Sequence, residues 1–302
     1  MAAPNARQHP VLAFGVALAA VAVLSAMDAV MKVLVLAIGL YATSVWRALA
    51  GLLLSSILYL PRRQPWPEAR VIRLHVAKGV VVTVMGLLFF FGLARIPMAQ
   101  AIALTFIAPL LALFLAAITL GERVGRRTIA ASLLAFAGVI VIVAGQARAE
   151  QADGVLVGTL AILGSAVCYA VNIVMMRSQS LAAGPLEIGF FQNGTIATLM
   201  VCSLPFLGGV AWPGDQLVGI FSAAVMSLTG ILLFAFAYAR GEASYLAVTE
   251  YSGFLWAAAL GWLVFAEPVS PYTLAGALLI VGGCVFAARE VPRSEPEMEA
   301  LA

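Results

Sequence analysis

The sequence predicts an all-α integral membrane protein of ten transmembrane helices, arranged as two inverted five-helix repeats. The first observation is composition, because 63% of the 302 residues are hydrophobic and only 10% are charged. The second is that apolar runs of roughly 20 residues, the length that a bilayer core requires, fill nearly the whole chain. The third is that the second half repeats the first. With five spans in each unit, the second copy must enter the bilayer in the opposite orientation.

The apolar runs are separated by short Gly and Pro turn signals. They predict spans at residues 11–37, 41–60, 74–94, 98–120, 128–145, 154–178, 186–208, 215–239, 243–265 and 271–288. The first run resembles a signal peptide but continues to Ile38, which favours an uncleaved span. We therefore expect a cytoplasmic N-terminus (1–10), a first repeat (11–145), a linker (146–153), a second repeat (154–288) and a cytoplasmic tail (289–302).

The repeat is clearest over residues 91–138. There an offset of 145 residues needs no gap, and 13 of 48 positions are identical to residues 236–283. Apolar identities arise partly from composition, so the polar ones carry the weight. These polar identities are Arg95 with Arg240, Glu122 with Glu267 and Thr128 with Thr273. Two mirrored halves can open a shared site to either side of a membrane in turn, so this repeat predicts a transporter.

The basic residues of the loops predict the orientation. On the side of the N-terminus lie twelve arginines, at positions 7, 62, 63, 70, 73, 123, 126, 127, 177, 240, 289 and 293. The opposite side has Arg95 and Arg148, with Lys32 near that face. Under the positive-inside rule both termini are cytoplasmic. Arginine in place of lysine, together with the Ala, Val and Leu richness, suggests a bacterial protein of the inner membrane.

Few residues suit catalysis, metal binding or nucleic-acid binding. The chain has only His9 and His75, and its three cysteines, Cys168, Cys202 and Cys284, lie singly in apolar runs. We therefore expect no metal site, no cofactor and no enzyme, although an intramembrane enzyme is the alternative from another class. No basic run is interleaved with aromatic residues, and no GxxxxGK[ST] segment exists. The expected partners are a small-molecule substrate and membrane lipid, without nucleic acid.

Charged side chains inside the spans are candidate functional residues, because an ionisable group in hydrocarbon is costly without a cavity or partner. Asp28 and Lys32 are spaced i,i+4 and can pair, and Arg47 can join them as an ion cluster with a structural or a substrate-binding role. Lys78 lies about one turn inside the third predicted span, where it can snorkel or face a cavity. Glu250 is suited to carrying a proton, holding an ammonium group or packing by hydrogen bonds.

A polar stripe recurs in both halves of the chain. At an offset of 144 residues, Ser25 and Asp28 correspond to Tyr169 and Asn172. A stripe that is polar in both copies favours a shared central cavity, mostly apolar and with a few placed polar groups. The predicted substrate-binding residues are Asp28, Lys78, Tyr169, Asn172, Glu250 and Tyr251.

Several short motifs carry a family resemblance. The segment ARIPMA at 94–99, followed by Pro109 and LGER at 120–123, returns as ARGEAS at 239–244 and FAEP at 265–268. In this order, twice at one offset, they resemble the EamA-type drug/metabolite transporter superfamily over residues 11–288. Phe254 stands where a second proline would match Pro109, so the two fourth-span helices are expected to bend differently.

The resemblance implies a secondary exporter of small metabolites, amino acids included, that works by alternating access. The aromatic-rich spans resemble the aromatic amino-acid exporter group of that superfamily, and the resemblance allows a homodimer. The alternative within transport is a nucleotide-sugar or phosphate-ester exchanger. That function would need Arg47, Lys32 and Lys78 to converge at mid-membrane.

Overall fold

The computed structural model describes residues 10–63, 65–108, 110–112, 114–115, 126–148, 154–210, 212–238 and 249–288. Within these ranges the regular secondary structure is helical and contains no strand. Several expectations fall outside the described residues: the N-terminal segment 1–9, most of the linker, the tail from residue 289, Pro109, the LGER motif with Glu122, and the ARGEAS motif with Arg240. The side chains of Thr128 and Cys284 also lie outside the described part.

Ten main helices follow one another along the described part of the chain. We number them α1 (Pro10–Ile38), α2 (Leu40–Tyr59), α3 (Ala69–Leu93), α4 (Met98–Thr105), α5 (Arg126–Arg148), α6 (Val155–Ala182), α7 (Pro185–Cys202), α8 (Leu217–Tyr238), α9 (Ser252–Phe265) and α10 (Pro271–Ala288). Five stretches, on α1, α2, α3, α6 and α8, are long and apolar enough to cross a membrane. The helical membrane class is thus confirmed, whereas the count of ten spans stays a prediction.

Helix ends follow from local chemistry, and one of them corrects the sequence interpretation. Gly39 separates α1 from α2 with a φ of 83°, a conformation that glycine adopts readily. Helix α3 begins at Ala69, directly after a segment containing Pro65 and Pro67, whereas the predicted span begins at 74. Lys78 therefore lies nine residues inside the helix, a rise of about 13 Å rather than one turn.

Equivalent helices of the two halves run in opposite directions. In the pair α2 and α7, a side chain on Gly51 would meet Asn193, while the hydroxyl of Tyr41 donates to the Met200 carbonyl at 3.0 Å. As the residue number falls on α2 it rises on α7, so the two helices are antiparallel. They are repeat equivalents, because the offset of 145 residues takes Leu40, the first residue of α2, to Pro185, the first residue of α7.

Two further helix pairs connect the halves in equivalent ways: α1 with α8, and α6 with α3. Helix α1 packs on α8, where Leu24 meets Gly230 and Leu34 meets Gly219. Its repeat equivalent, α6, packs on α3, where the Ser165 hydroxyl donates to the Met85 carbonyl at 3.0 Å. The largest cluster of buried apolar side chains includes residues of both halves. The repeats therefore share one core, and exchanging them leaves the pattern of helix contacts unchanged.

Candidate functional site

The two polar stripes face the interior of the bundle. On α1, Ser25 and Lys32 are both 4% exposed, and Asp28 between them is half-buried. On α6, Tyr169 is half-buried and Asn172 is 8% exposed. Spacings of three, four and seven residues place each set on one side of its helix. The buried stripes are where polar groups inside the bundle can meet a substrate.

The α1 stripe ends in an ion pair with a distant carboxylate. The ammonium of Lys32 donates to Glu267 Oε1 at 2.5 Å and to the Ile96 carbonyl at 3.0 Å. The other Glu267 oxygen accepts the Met98 backbone N–H at 2.8 Å, so this carboxylate also caps the start of α4. The ammonium lies 4.9 Å from the centroid of the Phe265 ring. One lysine thus joins α1, the α3–α4 turn and the α9–α10 connection.

This ion pair divides the cluster that was expected from Asp28, Lys32 and Arg47. Lys32 pairs with Glu267, which lies 235 residues away in the sequence, and not with Asp28 one turn before it. Asp28 instead interacts electrostatically with Arg47 of α2. The i,i+4 spacing allowed a local pair, but the packing of the α9–α10 connection brings the Glu267 carboxylate to Lys32 instead.

Lys78 lies in a second polar cluster, formed by α3, α6 and α7. Its ammonium donates to Gln179 Oε1 at 2.7 Å, and Gln179 Nε2 is 2.5 Å from His75 Nδ1. His75 Nε2 lies 3.1 Å from Glu187 Oε1, and its ring stacks on Phe191 at 4.9 Å. Lys78 is 3% exposed, while His75 and Gln179 are fully buried. The snorkelling alternative for Lys78 is therefore not the conformation that the structure has.

Aromatic side chains and a carboxylate occupy the middle of the second stripe. The Tyr169 hydroxyl donates to Glu250 Oε2 at 3.2 Å. The next residue, Tyr251, meets the Phe106 ring edge to face at 5.3 Å, so aromatic groups from both halves are in contact. Among the described residues Asn172 Oδ1 is buried without a hydrogen-bond partner, an unusual state that a bound hydrogen-bond donor would relieve.

The two lysine clusters lie at opposite ends of the bundle. Residues 94–97 and 266–270 form one end, the Arg95 face, and the start of α6 is there because Gly158 contacts Arg95. Residues 60–63, 65–68 and 183–184 form the other end, the Arg62 face, near which Trp66 contacts Phe191. Lys32 lies near the Arg95 face, and Lys78 is 15 residues before the end of α3, about 22 Å away along the axis.

Sequence reasoning missed three of the residues in these clusters and the role of a fourth. Glu267 was noted only as a repeat identity, and its pairing with Lys32 needed the tertiary structure. His75, Gln179 and Glu187 were not assigned. Gln179 did carry a signal, because it lies seven residues after Asn172 and continues the α6 stripe.

A cavity of about 350 Å³ lies elsewhere, between the residues that follow α4 and the outer surface of α5. The described residues that line it are all apolar: Ile107, Leu110, Leu111, Phe114, Ile129, Leu133 and Phe136. Such a cleft lacks the polar groups that orient a solute. Among the described residues no three His, Cys, Asp or Glu side chains come together as a metal site.

The helical membrane fold with buried charges between two antiparallel halves is that of a membrane transporter, not an enzyme. The chain matches the EamA-like transporter family twice, over residues 12–144 and 156–289. It therefore belongs to this family, and each match covers one half of the bundle.

Relatives and a solved structure agree with this assignment. Two pseudopaline exporters named CntI, from the Pseudomonas aeruginosa strains UCBPP-PA14 and ATCC 15692, are each 29% identical over 215 residues. The alignments cover 71% of this chain and 74% of each relative. One protein crystal structure is similar with a TM-score of 0.60 at 22% identity, over 91% of this chain and 96% of that chain, which is a likeness of fold. Family and relatives together support a bacterial-type exporter of small metabolites.

Proposed function

We propose that the protein exports amino acids with aromatic or other apolar side chains, by alternating access between the Arg62 face and the Arg95 face. The observation that supports this most is the hydrogen bond between Tyr169 and Glu250, next to the contact of Tyr251 with Phe106. A carboxylate suits an ammonium group, and the aromatic rings suit an apolar side chain. Asn172 Oδ1 is a further acceptor on the same helix stripe.

Alternating access fits the opposite course of the equivalent helices, because mirrored halves can close one end of a path while opening the other. In this conformation the pair of Lys32 and Glu267 joins three segments at the Arg95 face. The arginine distribution favours the Arg62 face as the cytoplasmic one, with the bacterial inner membrane as the location. Substrate would then enter near Lys78 and leave after the pair at the Arg95 face separates.

The pseudopaline exporters suggest a second cargo, pseudopaline itself. A phosphate-ester exchanger is less well supported by the geometry. Lys32 already pairs with a carboxylate near the Arg95 face, and Lys78 lies about 22 Å along α3 from that face, so these two do not form one anion-binding cluster.

Flux into proteoliposomes tests the proposal. Purified protein should exchange labelled phenylalanine or tryptophan for unlabelled amino acid. Tyr251→Ala should raise the half-saturating substrate concentration about tenfold, since one ring contact is lost. Glu250→Gln should fold normally but flatten the pH dependence of flux, because an amide cannot gain or lose the proton that the half-buried carboxyl group can.

Each of the two variants has a matched control. Trp262→Ala removes a ring that is 66% exposed on α9 and should leave half-saturation unchanged. Glu68→Gln neutralises an exposed carboxylate outside the bundle and should leave the pH profile unchanged. Exchange of pseudopaline with no exchange of any amino acid would overturn the amino-acid assignment and leave the exporter class in place.

A further inference from the structure

With Lys78 charged, the cluster around it has one consistent arrangement of hydrogens. A lysine ammonium can donate but not accept, so Gln179 must present its oxygen to Lys78. The NH₂ of that amide then faces His75 Nδ1, which must accept. The ring is therefore neutral with its proton on Nε2, where it donates to Glu187. Four side chains form one directed chain of hydrogen bonds.

Lys78 differs from Lys32 in what holds its charge. Among the described residues no carboxylate lies within ion-pair distance of the Lys78 ammonium, and its recorded partner is a neutral amide. A buried ammonium without a counter-ion attracts an anionic group once its present acceptor is removed. The amide oxygen of Gln179 therefore occupies the position beside the Lys78 ammonium that an anion could take.

We propose that Lys78 is a binding site for the carboxylate of the substrate, and that protonation of His75 makes this site available. This inference rests on the proposed function and adds to it the group that recognises the anionic end. A proton on Nδ1 turns the acceptor of Gln179 into a donor. The amide must then rotate so that its oxygen accepts from His75, and its NH₂ turns toward Lys78. Lys78 loses its acceptor and binds a carboxylate instead.

Few titratable groups lie around His75 among the described residues, and one of them is a carboxylate that would stabilise a charged ring. Glu187 of α7, whose side chain is 14% exposed, joins the ring to the Arg62 face. Tyr59 of α2 is the further titratable group of this cluster, and it interacts electrostatically with Glu187. Lys78 is the charged group on the same helix, and Gln179 faces the ring from α6. The side chain of Arg177 lies outside the described residues.

The test uses the small number of lysines and histidines in the chain, two of each. Full-length protein in nanodiscs, with ¹⁵N-lysine and ¹⁵N-histidine and the substitution His9→Gln, should show one imidazole and two ammonium signals. At pH 8 the imidazole should be neutral with its proton on Nε2. As the pH falls to 5.5, the Lys78 signal, assigned by its loss in Lys78→Met, should shift together with protonation of His75.

Two variants decide whether Gln179 transmits the change. Gln179→Leu should uncouple the two signals, and His75→Phe, which keeps a ring against Phe191, should remove the shift of the Lys78 signal that accompanies protonation of the imidazole. A Lys78 signal that does not move when His75 is protonated would overturn the inference, as would a coupling that persists in Gln179→Leu.

Acetate serves as the carboxylate probe and acetamide as its neutral control. Acetate should bind at Lys78 about tenfold more tightly at pH 5.5 than at pH 8, while acetamide should not shift the Lys78 signal at either pH. Equal acetate affinity at both pH values would contradict the proposal. Because these measurements need no flux, coupling of His75 to Lys78 without amino-acid exchange would overturn only the proposed cargo.

Discussion

Lysine is among the most costly side chains to bury, and both lysines of this protein are buried. Lys32 is satisfied by a carboxylate, a backbone carbonyl and an aromatic ring. Lys78 is satisfied by the amide of Gln179. The first arrangement neutralises the charge and ties segments together, whereas the second leaves the charge available to an anion. The chemistry of the hydrogen-bond partner, more than the depth of burial, distinguishes a structural lysine from a candidate binding residue.

At the residue scale we predict that removing the charge of Glu267 destabilises the fold more than removing the charge of Lys32. Glu267→Gln leaves a buried ammonium without a counter-ion and should destabilise the fold by about 3 kcal/mol. Lys32→Met should cost less than half as much. Its partner carboxylate is 20% exposed and still accepts the Met98 N–H. Thermal unfolding in detergent, followed by tryptophan fluorescence, measures both.

The double variant Lys32→Met with Glu267→Gln is the control for this prediction. It removes the unpaired ammonium, so it should unfold at a higher temperature than Glu267→Gln alone. If Lys32→Met were the more destabilising of the two single variants, the carboxylate would depend on the lysine rather than the reverse.

At the scale of elements, glycine allows the fifth and tenth helices to touch along their backbones. A Cβ atom on Gly138 of α5 would lie 2.6 Å from the Gly276 carbonyl oxygen of α10, and a Cβ on Gly276 would meet Ile142 at 2.4 Å. Small residues at such crossings give close van der Waals contact between helices in a membrane. This crossing joins the last helices of the two halves.

We expect Gly138→Ala to lower stability by about 1–3 kcal/mol, because the added methyl group forces the two backbones apart. Gly282→Ala on α10 is the matched control, since its added methyl group meets nothing within 4 Å. That variant should be neutral or slightly stabilising, because alanine favours helices more than glycine does. Equal unfolding temperatures for the two variants would show that the crossing tolerates separation.

At the scale of the whole molecule, the buried charges divide between two ends. Lys32 and Glu267 join segments at the Arg95 face, and the chain from Lys78 to Glu187 lies toward the Arg62 face. Between them lie Tyr169 and Glu250. A transporter needs a barrier at each end of its path that can open separately. The two polar clusters differ in chemistry, so we expect the two barriers to respond to different conditions.

The orientation of the molecule is tested with single cysteines in a background where Cys168, Cys202 and Cys284 are replaced by alanine. Cysteines at positions 63 and 95, both exposed, should react with a membrane-impermeant maleimide from opposite sides of the membrane. In intact cells only position 95 should be labelled, and position 63 should react after permeabilisation. A cysteine at position 70 is the control, because it is predicted to lie on the same side as position 63 and should be labelled under the same conditions. Labelling of positions 63 and 95 from the same side would contradict the orientation.

The sequence predicted the class of this protein because hydropathy and repetition are properties of the chain itself. Apolar runs of spanning length and a gapless offset from Phe91 to Gly138 were enough to predict a helical membrane transporter with two related halves. The polar stripe with Tyr169 and Asn172 was also readable, since helical spacing places such residues on one face. The start of α3 was not, because Arg70 and Arg73 make its first turns polar.

Only the tertiary structure decided which buried groups meet. The local spacing of Asp28 and Lys32 predicted a pair, yet Lys32 pairs with Glu267, 235 residues further on. Lys78 reaches Gln179 across 101 residues. Such partners depend on how antiparallel helices pack and on which acceptor that packing places nearest, and one-dimensional hydropathy contains neither. Composition and repetition therefore determined that charges would be buried inside a bundle, and packing determined what each charge does there.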